Sequence, residues 1–418
     1  MGRGTGVPHP RGAGHGTRLS RWHSYPAMVP DDLALTLAEE TVKPGDRVLD
    51  PFCGSGRLLL AASDLGADCV GFDTNPLACL ITEAKAASAS ISTISAIAAE
   101  CADAARLAPR IPGVALRNTT VEWFSDSVSE ELAQIVRWVN TLDLPRPDLL
   151  VAATALSAAT RDASWIRKSG WKLHRLAEGD RRARTKSAWT SFSTRLRQYV
   201  DEGERRIHAG GVVVHQLRAD EGANTIGGRF DVILTSPPYG DSKTTVQYGA
   251  ASAIFLDVAS RLRGLEDYYA PGRDIDRSCL GGRGHACPSI ELKRFWAGAP
   301  DSEGGRRVTT FLADFAFTCR RLADLVEPSG IFAIVVGRRS VGGYRVKLDE
   351  FAVLEMEALG FKARSVKHRR LQQKRLPRAV NRFARAASLE HRCSGRTKTI
   401  DEEIIVTFDG PQQRSALA

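Results

Sequence analysis

Short apolar runs that end in an acidic residue alternate with helical patterns over the first hundred residues. Residues 47–50 form one such run, a Gly-rich turn follows, and leucines and alanines then recur at helical density up to residue 65. A second run covers 67–73. The Asn-Pro pair at 75–76 can open the next helix, which we expect to continue to residue 108. Two βα units in succession predict an α/β domain with a parallel sheet.

The alternation breaks between residues 109 and 207, where helical patterns follow one another. Strand patterns return afterwards, at 211–215, 230–234, 331–336, 362–367 and 403–408, with a turn at 328–330. Residues 240–308 are rich in Gly and polar residues, and they predict loops. The strands fall into two groups, which predict one mostly parallel sheet of seven strands with a helical insertion.

Composition narrows the class of protein. The chain has 418 residues, of which 43% are hydrophobic and 25% charged, so a fully disordered chain is excluded. The longest apolar stretch without a charge, residues 149–160, is too short to span a membrane. The first 20 residues lack an apolar core and predict a flexible tail rather than a secretory signal. The eight cysteines are scattered, which favours reduced thiols and a cytoplasmic location.

The net charge of +10 is concentrated in two places. Residues 361–398 hold 13 Lys and Arg but one acid, Glu390, a net charge of +12 that leaves −2 for the rest of the chain. Residues 161–206 carry +7, interleaved with aromatic residues: Trp165, Trp171, Trp189, Phe192 and Tyr199. Such stretches can bind phosphates and stack on bases, or they can be solvated helices whose aromatic residues face the core. The pattern leaves both interpretations open.

The first motif with chemical content is Asp-Pro-Phe-Cys-Gly-Ser-Gly at 50–56. Its two glycines, Gly54 and Gly56, let the backbone turn tightly and approach a ligand at a helix N-terminus. Asp73 ends the next predicted strand, where a carboxylate can accept both ribose hydroxyls of a nucleoside. The turn has no Walker lysine, so it suits a nucleoside with an amino-acid tail better than a pyrophosphate.

The second motif is Thr-Ser-Pro-Pro-Tyr-Gly at 235–240. Two prolines after a strand hold an extended turn with fixed φ. The turn fixes the hydroxyl of Ser236 and the carbonyl of Pro237, which can accept hydrogen bonds from a planar amine, and the ring of Tyr239 can stack on its base. An exocyclic amine is a poor nucleophile because its lone pair is conjugated. Hydrogen bonds that favour a tetrahedral nitrogen would therefore help methyl transfer.

Both motifs resemble those of the DNA amino-methyltransferases, which use S-adenosylmethionine. Residues 50–56 resemble the cofactor loop of that family, Asp73 its ribose-binding acid and residues 235–239 its catalytic loop. The segment Arg-Trp-His-Ser-Tyr-Pro at 21–26 resembles the one that holds the methionine end of the cofactor. Serine in the first catalytic position is associated mainly with N4-cytosine enzymes. Arg-Leu at 57–58 departs from the Thr-Thr pair that many members carry.

The resemblance implies a Rossmann-like class I methyltransferase fold, a flipped-out target base and direct transfer without a covalent enzyme intermediate. It implies double-stranded DNA as the partner, a cognate restriction endonuclease as a candidate second partner, and action in the cytoplasm at a bacterial or archaeal nucleoid. The expected catalytic residues are Ser236, Pro237, Pro238 and Tyr239. The expected cofactor-binding residues are Tyr25, Asp50, Phe52, Cys53, Gly54, Gly56, Asp73 and Thr74. The candidate DNA contacts are Lys243, Arg369, Arg370, Lys374 and Arg375.

These assignments divide the chain into a tail (1–20), a cofactor-binding half (21–108), a helical insertion that could contact DNA (109–207) and a catalytic half (208–418). N6-adenine transfer is the nearest alternative. An RNA base methyltransferase and a non-catalytic DNA-binding protein are more distant ones. Asp220 is a weak candidate to flank the adenine ring. The spacing of Cys279, His285 and Cys287 is poor for zinc, so we expect no metal site.

Overall fold

The structure of the chain is a computed structural model. It describes residues 22–109, 116–167, 173–183, 186–203, 210–240, 248–285, 289–341, 344–370, 379–381, 396–398 and 402–411. The tail predicted at 1–20 lies outside these residues.

A seven-stranded sheet forms the centre of the fold. The strands in chain order are β1 (Arg47–Asp50), β2 (Asp68–Phe72), β3 (Val212–His215), β4 (Phe230–Thr235), β5 (Val326–Val336), β6 (Arg339–Val341), β7 (Tyr344–Val346), β8 (Lys362–Arg370), β9 (Ala379–Asn381), β10 (Arg396–Lys398) and β11 (Glu402–Asp409). Seven of them pair in the order β3-β2-β1-β4-β5-β11-β8. The first five of these are parallel, and β11 is antiparallel to both of its neighbours. The predicted mostly parallel, Rossmann-like α/β fold is confirmed.

The strand order places a ligand-binding crevice at the middle of the sheet. From β1 the chain moves outwards to β2 and β3, and it then returns to β4 on the other side of β1. In open α/β sheets, ligands bind outside the carboxyl ends of the strands at such a reversal. Asp50 ends β1 and Thr235 ends β4, so the two predicted motifs begin side by side.

Fifteen helices cover the described sheet. They are α1 (Asp31–Thr41), α2 (Arg57–Asp64), α3 (Pro76–Ala86), α4 (Ile91–Leu107), α5 (Asn118–Val121), α6 (Asp126–Val139), α7 (Arg146–Ala163), α8 (Glu178–Ala183), α9 (Ala188–Gly203), α10 (Ala219–Thr225), α11 (Tyr248–Ala259), α12 (Gly272–Ser278), α13 (Ile290–Phe295), α14 (Glu303–Ala323) and α15 (Leu348–Ala358). One face of the sheet packs on α14 and α15, and the other packs on α1 and α2.

The single helix expected from residue 75 to residue 108 is wrong, because the structure has two helices there. The backbone N–H of Ser90 donates to Oδ1 of Asp148 at 2.7 Å, outside any helical ladder. The Oγ of Ser90 accepts from the N–H of Thr93 at 3.2 Å and caps α4. The chain therefore turns at residues 87–90, and α4 packs against α9 instead of continuing α3.

The insertion forms a helical layer with its own core. Helices α6, α7 and α9 bury their apolar faces together with α4 and α11. Trp189, Phe192 and Tyr199 from the basic aromatic stretch are 5%, 0% and 1% exposed. These three side chains are core residues, so base stacking by them is excluded. Trp171 lies outside the described residues.

The expected loops at 240–308 are partly wrong, because α11, α12 and α13 lie there. Helix α11 is mostly apolar and packs against α7. Its polar residues Ser252 and Asp257 are buried, so they do not form the exposed polar face of an amphipathic pattern. The expected turn at 328–330 lies inside β5, where the pairing with β4 changes register between Phe230 and Val232.

Candidate active site

The turn between β1 and α2 depends on two glycines. The φ angles of Gly54 and Gly56 are +51° and +79°, in the left-handed region that favours glycine. A Cβ on Gly56 would lie 2.5 Å from Cγ2 of Thr82, and Oγ1 of Thr82 donates to the carbonyl of Gly54 at 2.9 Å. The turn thus brings the N-terminus of α2 to the crevice, which Ser55, Arg57 and Leu58 line.

Asp73 directly follows β2 and points its carboxylate at this turn. Its Oδ2 accepts from the N–H of Gly54 at 2.9 Å, and its Oδ1 accepts from the N–H of Asn75 at 2.8 Å. Burial raises the pKa of Asp73 to about 6, although the hydrogen bonds oppose that shift. The carboxylate is therefore mostly ionised at pH 7 and can accept hydrogen bonds from a ribose.

Asp50 connects the two motifs. Its Oδ1 accepts from Oγ1 of Thr235 at 2.7 Å and from the N–H of Phe52 at 3.1 Å. Burial raises the pKa of Asp50 to about 7 against both hydrogen bonds. Since Thr235 is the last residue of β4, this contact fixes the start of the Ser-Pro-Pro-Tyr turn relative to the Gly-rich turn.

Tyr25 closes the crevice over the Gly-rich turn. Its hydroxyl oxygen accepts from Nδ2 of Asn75 at 3.0 Å, and its Cε1 lies 3.6 Å from where a Cβ on Gly54 would be. Asn75 also donates to Oγ of Ser252 at 2.9 Å, so its amide joins the N-terminal segment, α3 and α11. Burial raises the pKa of Tyr25, so its phenol is neutral at pH 7.

The helical insertion holds the residues just before Tyr25. The indole of Trp22 donates to the carbonyl of Arg195 at 2.9 Å, and Nη1 of Arg195 donates to the carbonyl of Trp22 at 2.8 Å. The Nε2 of His23 lies 3.0 Å from Oγ of Ser157 in α7. Burial lowers the pKa of His23 to about 3, so it stays neutral. The insertion therefore supports the cofactor side of the crevice.

The Ser-Pro-Pro-Tyr turn lies at the carboxyl end of β4. The Oγ of Ser236 and the hydroxyl oxygen of Tyr239 are 3.2 Å apart, within hydrogen-bond distance. Burial, and next the charge of Glu403, raise the pKa of Tyr239, so its phenol is neutral at pH 7. The turn thus presents a hydroxyl and an aromatic ring at a fixed separation.

One crevice contains residues of both motifs. The predicted site residues that line it are Tyr25, Asp50, Phe52, Cys53, Gly54, Asp73, Thr74, Ser236 and Pro238. Gly56, Pro237 and Tyr239 belong to the two turns but are not among its lining residues. The structure therefore brings the cofactor motif and the catalytic motif together at the end of the sheet.

The crevice fits a nucleoside that carries an amino-acid tail. It offers the carboxylates of Asp50 and Asp73 and the backbone of the Gly-rich turn. Lys85 is buried, and its Nζ donates to the carbonyl of Ser55 at 2.8 Å, so this lysine is already used by the turn. The donor set therefore suits S-adenosylmethionine, which has ribose hydroxyls and a cationic tail and no phosphate.

Three of the five Lys and Arg side chains in β8, the longest described strand of the basic segment at 361–398, form ion pairs with acids elsewhere in the fold. In β8, Arg369 binds Glu403 at 3.0 Å and Asp32 at 2.7 Å, and Lys367 binds Glu40 at 2.7 Å. The other pairs of this strand are Arg364 with Asp409 and His368 with Glu402. Arg370 is exposed at the end of the strand. Lys243, Lys374 and Arg375 lie outside the described residues.

Several residues at the crevice were not predicted from the sequence. Asn75 and Thr235 belong to quoted motifs, but their bridging contacts depend on the fold. Arg218, His285 and Asp314 also line the crevice. A signal existed for Asp314, since it is an acid on the apolar face of α14. Nothing in the sequence connected it to residues 218 or 285.

Among the described residues, no group of three His, Cys, Asp or Glu side chains could hold a metal ion. Cys279 lies 3.9 Å from Oγ1 of Thr74, His285 binds Asp314, and Cys287 is outside the described part. Burial raises the pKa of the Cys53 thiol, which makes it a poor nucleophile. No helix in the described part of the chain is long and apolar enough to cross a membrane.

Comparisons with known proteins agree with this site. The family model described as DNA methylase, for N6 and N4 methyltransferases, matches residues 8–84. The Type II methyltransferase M.MvaI of Kocuria varians is 25% identical over 400 residues, which cover 85% of each chain. The Type II methyltransferase M.BsoBI of Geobacillus stearothermophilus is 20% identical over 401 residues, covering 82% of this chain and 79% of its own.

A shorter match is the tRNA (guanine(10)-N2)-dimethyltransferase of Methanothermobacter thermautotrophicus, 41% identical over 59 residues, or 13% of this chain and 18% of its own. The two long matches instead extend over most of this chain. Together with the sheet order and the shared crevice, they support the similarity of this chain to the S-adenosylmethionine-dependent DNA amino-methyltransferases, of the N4-cytosine and N6-adenine type.

Proposed function

We propose that the protein transfers the methyl group of S-adenosylmethionine to the N4 amine of a flipped-out cytosine in a specific DNA sequence. The observation that carries the proposal is the Ser-Pro-Pro-Tyr turn, with Oγ of Ser236 at 3.2 Å from the hydroxyl of Tyr239. Ser236 lines the same crevice as the Gly-rich turn. A target amine can therefore reach the end of the crevice where the methyl group would lie.

The chain's own residues orient the amine. Oγ of Ser236 and the carbonyl oxygen of Pro237 accept hydrogen bonds from the two N–H groups of the amine. These bonds favour a tetrahedral nitrogen whose lone pair is available for the methyl group. The ring of Tyr239 stacks on the base and holds it in line. When bound, S-adenosylmethionine supplies an electrophilic methyl group. Positioning of this kind can lower a barrier by about 7–11 kcal/mol at best.

The cofactor side follows from the contacts of the Gly-rich turn. In this proposal Asp73 accepts the ribose hydroxyls, with Thr74 beside it, and the backbone at Cys53 and Gly54 runs along the nucleoside. Asp50, Phe52 and Tyr25 border the methionine end. These groups come from three segments of the chain, at residue 25, at 50–54 and at 73–74, and all three line one crevice.

The DNA side is proposed to lie beside the same edge. Strand β8 ends at Arg370 next to Glu402 of β11, so the basic stretch between them leaves and re-enters the fold near the catalytic turn. Arg370, Lys374, Arg375 and Lys243 are the proposed phosphate contacts, and the insertion at 109–207 is a further candidate surface. Arg369 forms ion pairs with Asp32 and Glu403, so we propose a structural role for it rather than a DNA contact.

The biological context is part of the proposal. The two long relatives are named as Type II methyltransferases, which supports pairing of this protein with a cognate restriction endonuclease. Such a modification enzyme would act in the cytoplasm, where the nucleoid DNA is. The site recognised in DNA would depend on side chains in the insertion and loops.

Base-resolution mapping of modified bases in DNA from cells that express the protein tests this function. We expect N4-methylcytosine in one sequence context, and none with the Ser236→Ala or Tyr239→Ala variant. Both variants should keep their affinity for S-adenosylhomocysteine in calorimetry.

Two results would count against the proposal. Methylation of adenine N6 in place of cytosine would overturn the choice of base. If the protein binds S-adenosylhomocysteine and methylates RNA but not DNA, its substrate is RNA and the proposal is wrong.

A further inference from the structure

One side of the crevice is formed by a Gly-rich segment that neither motif contains. Residues 279–285, which we name the wall loop, follow α12, and Cys279, Leu280, Arg283 and His285 from this loop line the crevice. Cys279 lies 3.9 Å from Oγ1 of Thr74, the residue after Asp73. The wall loop is therefore beside the nucleoside half of the crevice.

A single buried carboxylate holds the wall loop in place. Asp314, on α14, is 2% exposed. Its oxygens accept from the N–H groups of Gly281 and His285 at 2.8 Å, and from those of Arg283 and Gly284 at 3.4 Å. The loop thus wraps its backbone donors around one side chain of the protein itself.

The glycines of the wall loop make this wrapping feasible. Gly281 and Gly284 have φ of +80° and +69°. A Cβ on Gly282 would lie 2.2 Å from the carbonyl oxygen of Arg277. The Gly-Gly-Arg-Gly sequence therefore suits a loop that encloses a carboxylate, and it is not a general sign of flexibility.

His285 extends the contact from Asp314 to the opposite wall. Its Nδ1 lies 2.7 Å from Oδ1 of Asp314, and its Nε2 lies 3.4 Å from Nη2 of Arg218. Nε2 also lies 3.8 Å from Oδ2 of Asp220, so the imidazole joins the carboxylate of Asp314 to the pair formed by Arg218 and Asp220. The ring stacks on Phe317 of α14, with centroids 4.2 Å apart and planes at 7°.

Arg218 is part of the wall that faces the loop. It precedes α10 and is 6% exposed, and its guanidinium pairs with Asp220 and Glu221. Leu217, Arg218, Ala219 and Asp220 all line the crevice. The chain of contacts Arg218, His285, Asp314 therefore fixes two walls of the crevice relative to α14.

We propose that Asp314 and His285 are positioning residues that set the affinity for S-adenosylmethionine by holding the wall loop against the segment 217–220. Neither residue is assigned a role in the transfer of the methyl group, so their loss should change cofactor binding more than turnover. The inference depends on the cofactor occupying this crevice, as in the proposed function.

The test compares Asp314→Asn with Asp324→Asn, an exposed residue just after the same helix. Calorimetry with S-adenosylhomocysteine should show a Kd at least tenfold higher for Asp314→Asn and an unchanged Kd for Asp324→Asn. The kcat at saturating S-adenosylmethionine should stay within twofold of the parent. Trypsin should cut after Arg283 faster in Asp314→Asn, and S-adenosylhomocysteine should no longer slow that cut.

His285→Phe is the second variant, because it keeps the stack on Phe317 and removes both polar contacts. It should raise the Kd for S-adenosylhomocysteine by about threefold to tenfold. If Asp314→Asn does not fold, this variant alone tests the inference. Folded variants that bind S-adenosylhomocysteine within twofold of the parent, with unchanged cleavage after Arg283, would overturn the inference. If Asp73→Asn also binds normally, the location of the cofactor is wrong, and the failure belongs to the proposed function.

Discussion

The Gly-rich turn at 50–56 follows the inner strand β1, whereas β8 is the outermost strand of the same sheet, and the polar groups of these two regions serve different purposes. Asp50 of the turn, and Asp73 beside it, each accept at least two hydrogen bonds and still line the crevice. In β8, Arg369 and Lys367 are paired with acids from α1 and β11. The carboxyl groups at the turn therefore face the crevice, where a ligand can bind. The basic side chains of β8 mostly form ion pairs within the protein.

This difference shows which features of the sequence predict a structural role and which do not. The turn requires glycines at specific positions, and that requirement is local. The use of a basic side chain depends on acids that are distant in sequence, since Asp32 and Arg369 are 337 residues apart. A net charge of +12 over 38 residues therefore overstates what β8 offers to DNA. Within the described residues, no ion pair involves Lys362 or Arg370 of β8, and the other basic residues of the segment follow this strand in the chain.

Replacing Gly56 by Ala should have the largest effect on the folded state. Its φ of +79° is costly for Ala, and the new Cβ would lie 2.5 Å from Cγ2 of Thr82. We expect the free energy of unfolding to fall by about 3 kcal/mol, measured by urea denaturation. Gly45→Ala is the control, because Gly45 has φ +86° and no atom within 4 Å of the added Cβ.

The comparison of the two glycine variants separates strain from contact. Gly45→Ala should cost about 1 kcal/mol, for the backbone alone. Equal losses in both variants would mean that Thr82 moves aside freely, and the tight packing behind the turn would then have no role in stability.

Asp73→Asn should weaken cofactor binding next most strongly. The amide still fills the site, but it loses the charge that strengthens hydrogen bonds from ribose hydroxyls. We expect the Kd for S-adenosylhomocysteine to rise by about 30-fold in calorimetry, or roughly 2 kcal/mol. Asp68→Asn, at the other end of β2, should leave the Kd unchanged. A similar Kd for both variants would remove Asp73 from the binding site.

Much of the fold was predictable from local patterns. Buried strands such as β1 and β4, and glycines such as Gly54, follow rules that involve only a few neighbouring residues. The break at Ser90 was not predictable, because it depends on Asp148 from another helix. Helix α11 was missed because its burial on all sides removes the periodic pattern. The contacts of Asp314 with the wall loop require the fold itself.

Arg369→Ala and Arg370→Ala form a matched pair within β8. Arg369→Ala removes two ion pairs and leaves the nearly buried Glu403 without its partner, so the free energy of unfolding should fall by about 1 kcal/mol. Arg370→Ala should leave stability unchanged. It should reduce the change in DNA affinity between 50 and 200 mM salt by a factor of about three to four, as expected for one phosphate contact. Denaturation and DNA titrations across salt would show a reversed pattern if Arg369 contacts the DNA.

A fall in pH should weaken cofactor binding at the Gly-rich turn through its buried carboxyl groups. The pKa of Asp73 is raised to about 6 and that of Asp50 to about 7. If binding needs ionised Asp73, lowering the pH from 7.5 to 5.5 should weaken S-adenosylhomocysteine binding by about fourfold through this group. Protonation of Asp50 would add to that loss.

The stability of the unbound protein should change in the opposite direction. Both carboxyl groups have a higher pKa in the folded state than the 3.8 of a free aspartate. The folded state therefore binds more protons at pH 5.5, and these two groups make it more stable there than at pH 7.5. The Asp73→Asn variant should lose the part of the pH dependence that Asp73 contributes, both to S-adenosylhomocysteine affinity and to the free energy of unfolding. It should keep the part that Asp50 contributes. Calorimetry and urea denaturation at the two pH values measure both signs. Equal pH dependence in the parent and Asp73→Asn would show that Asp73 does not titrate in this range, and the contrast between the turn and β8 would then rest on geometry alone.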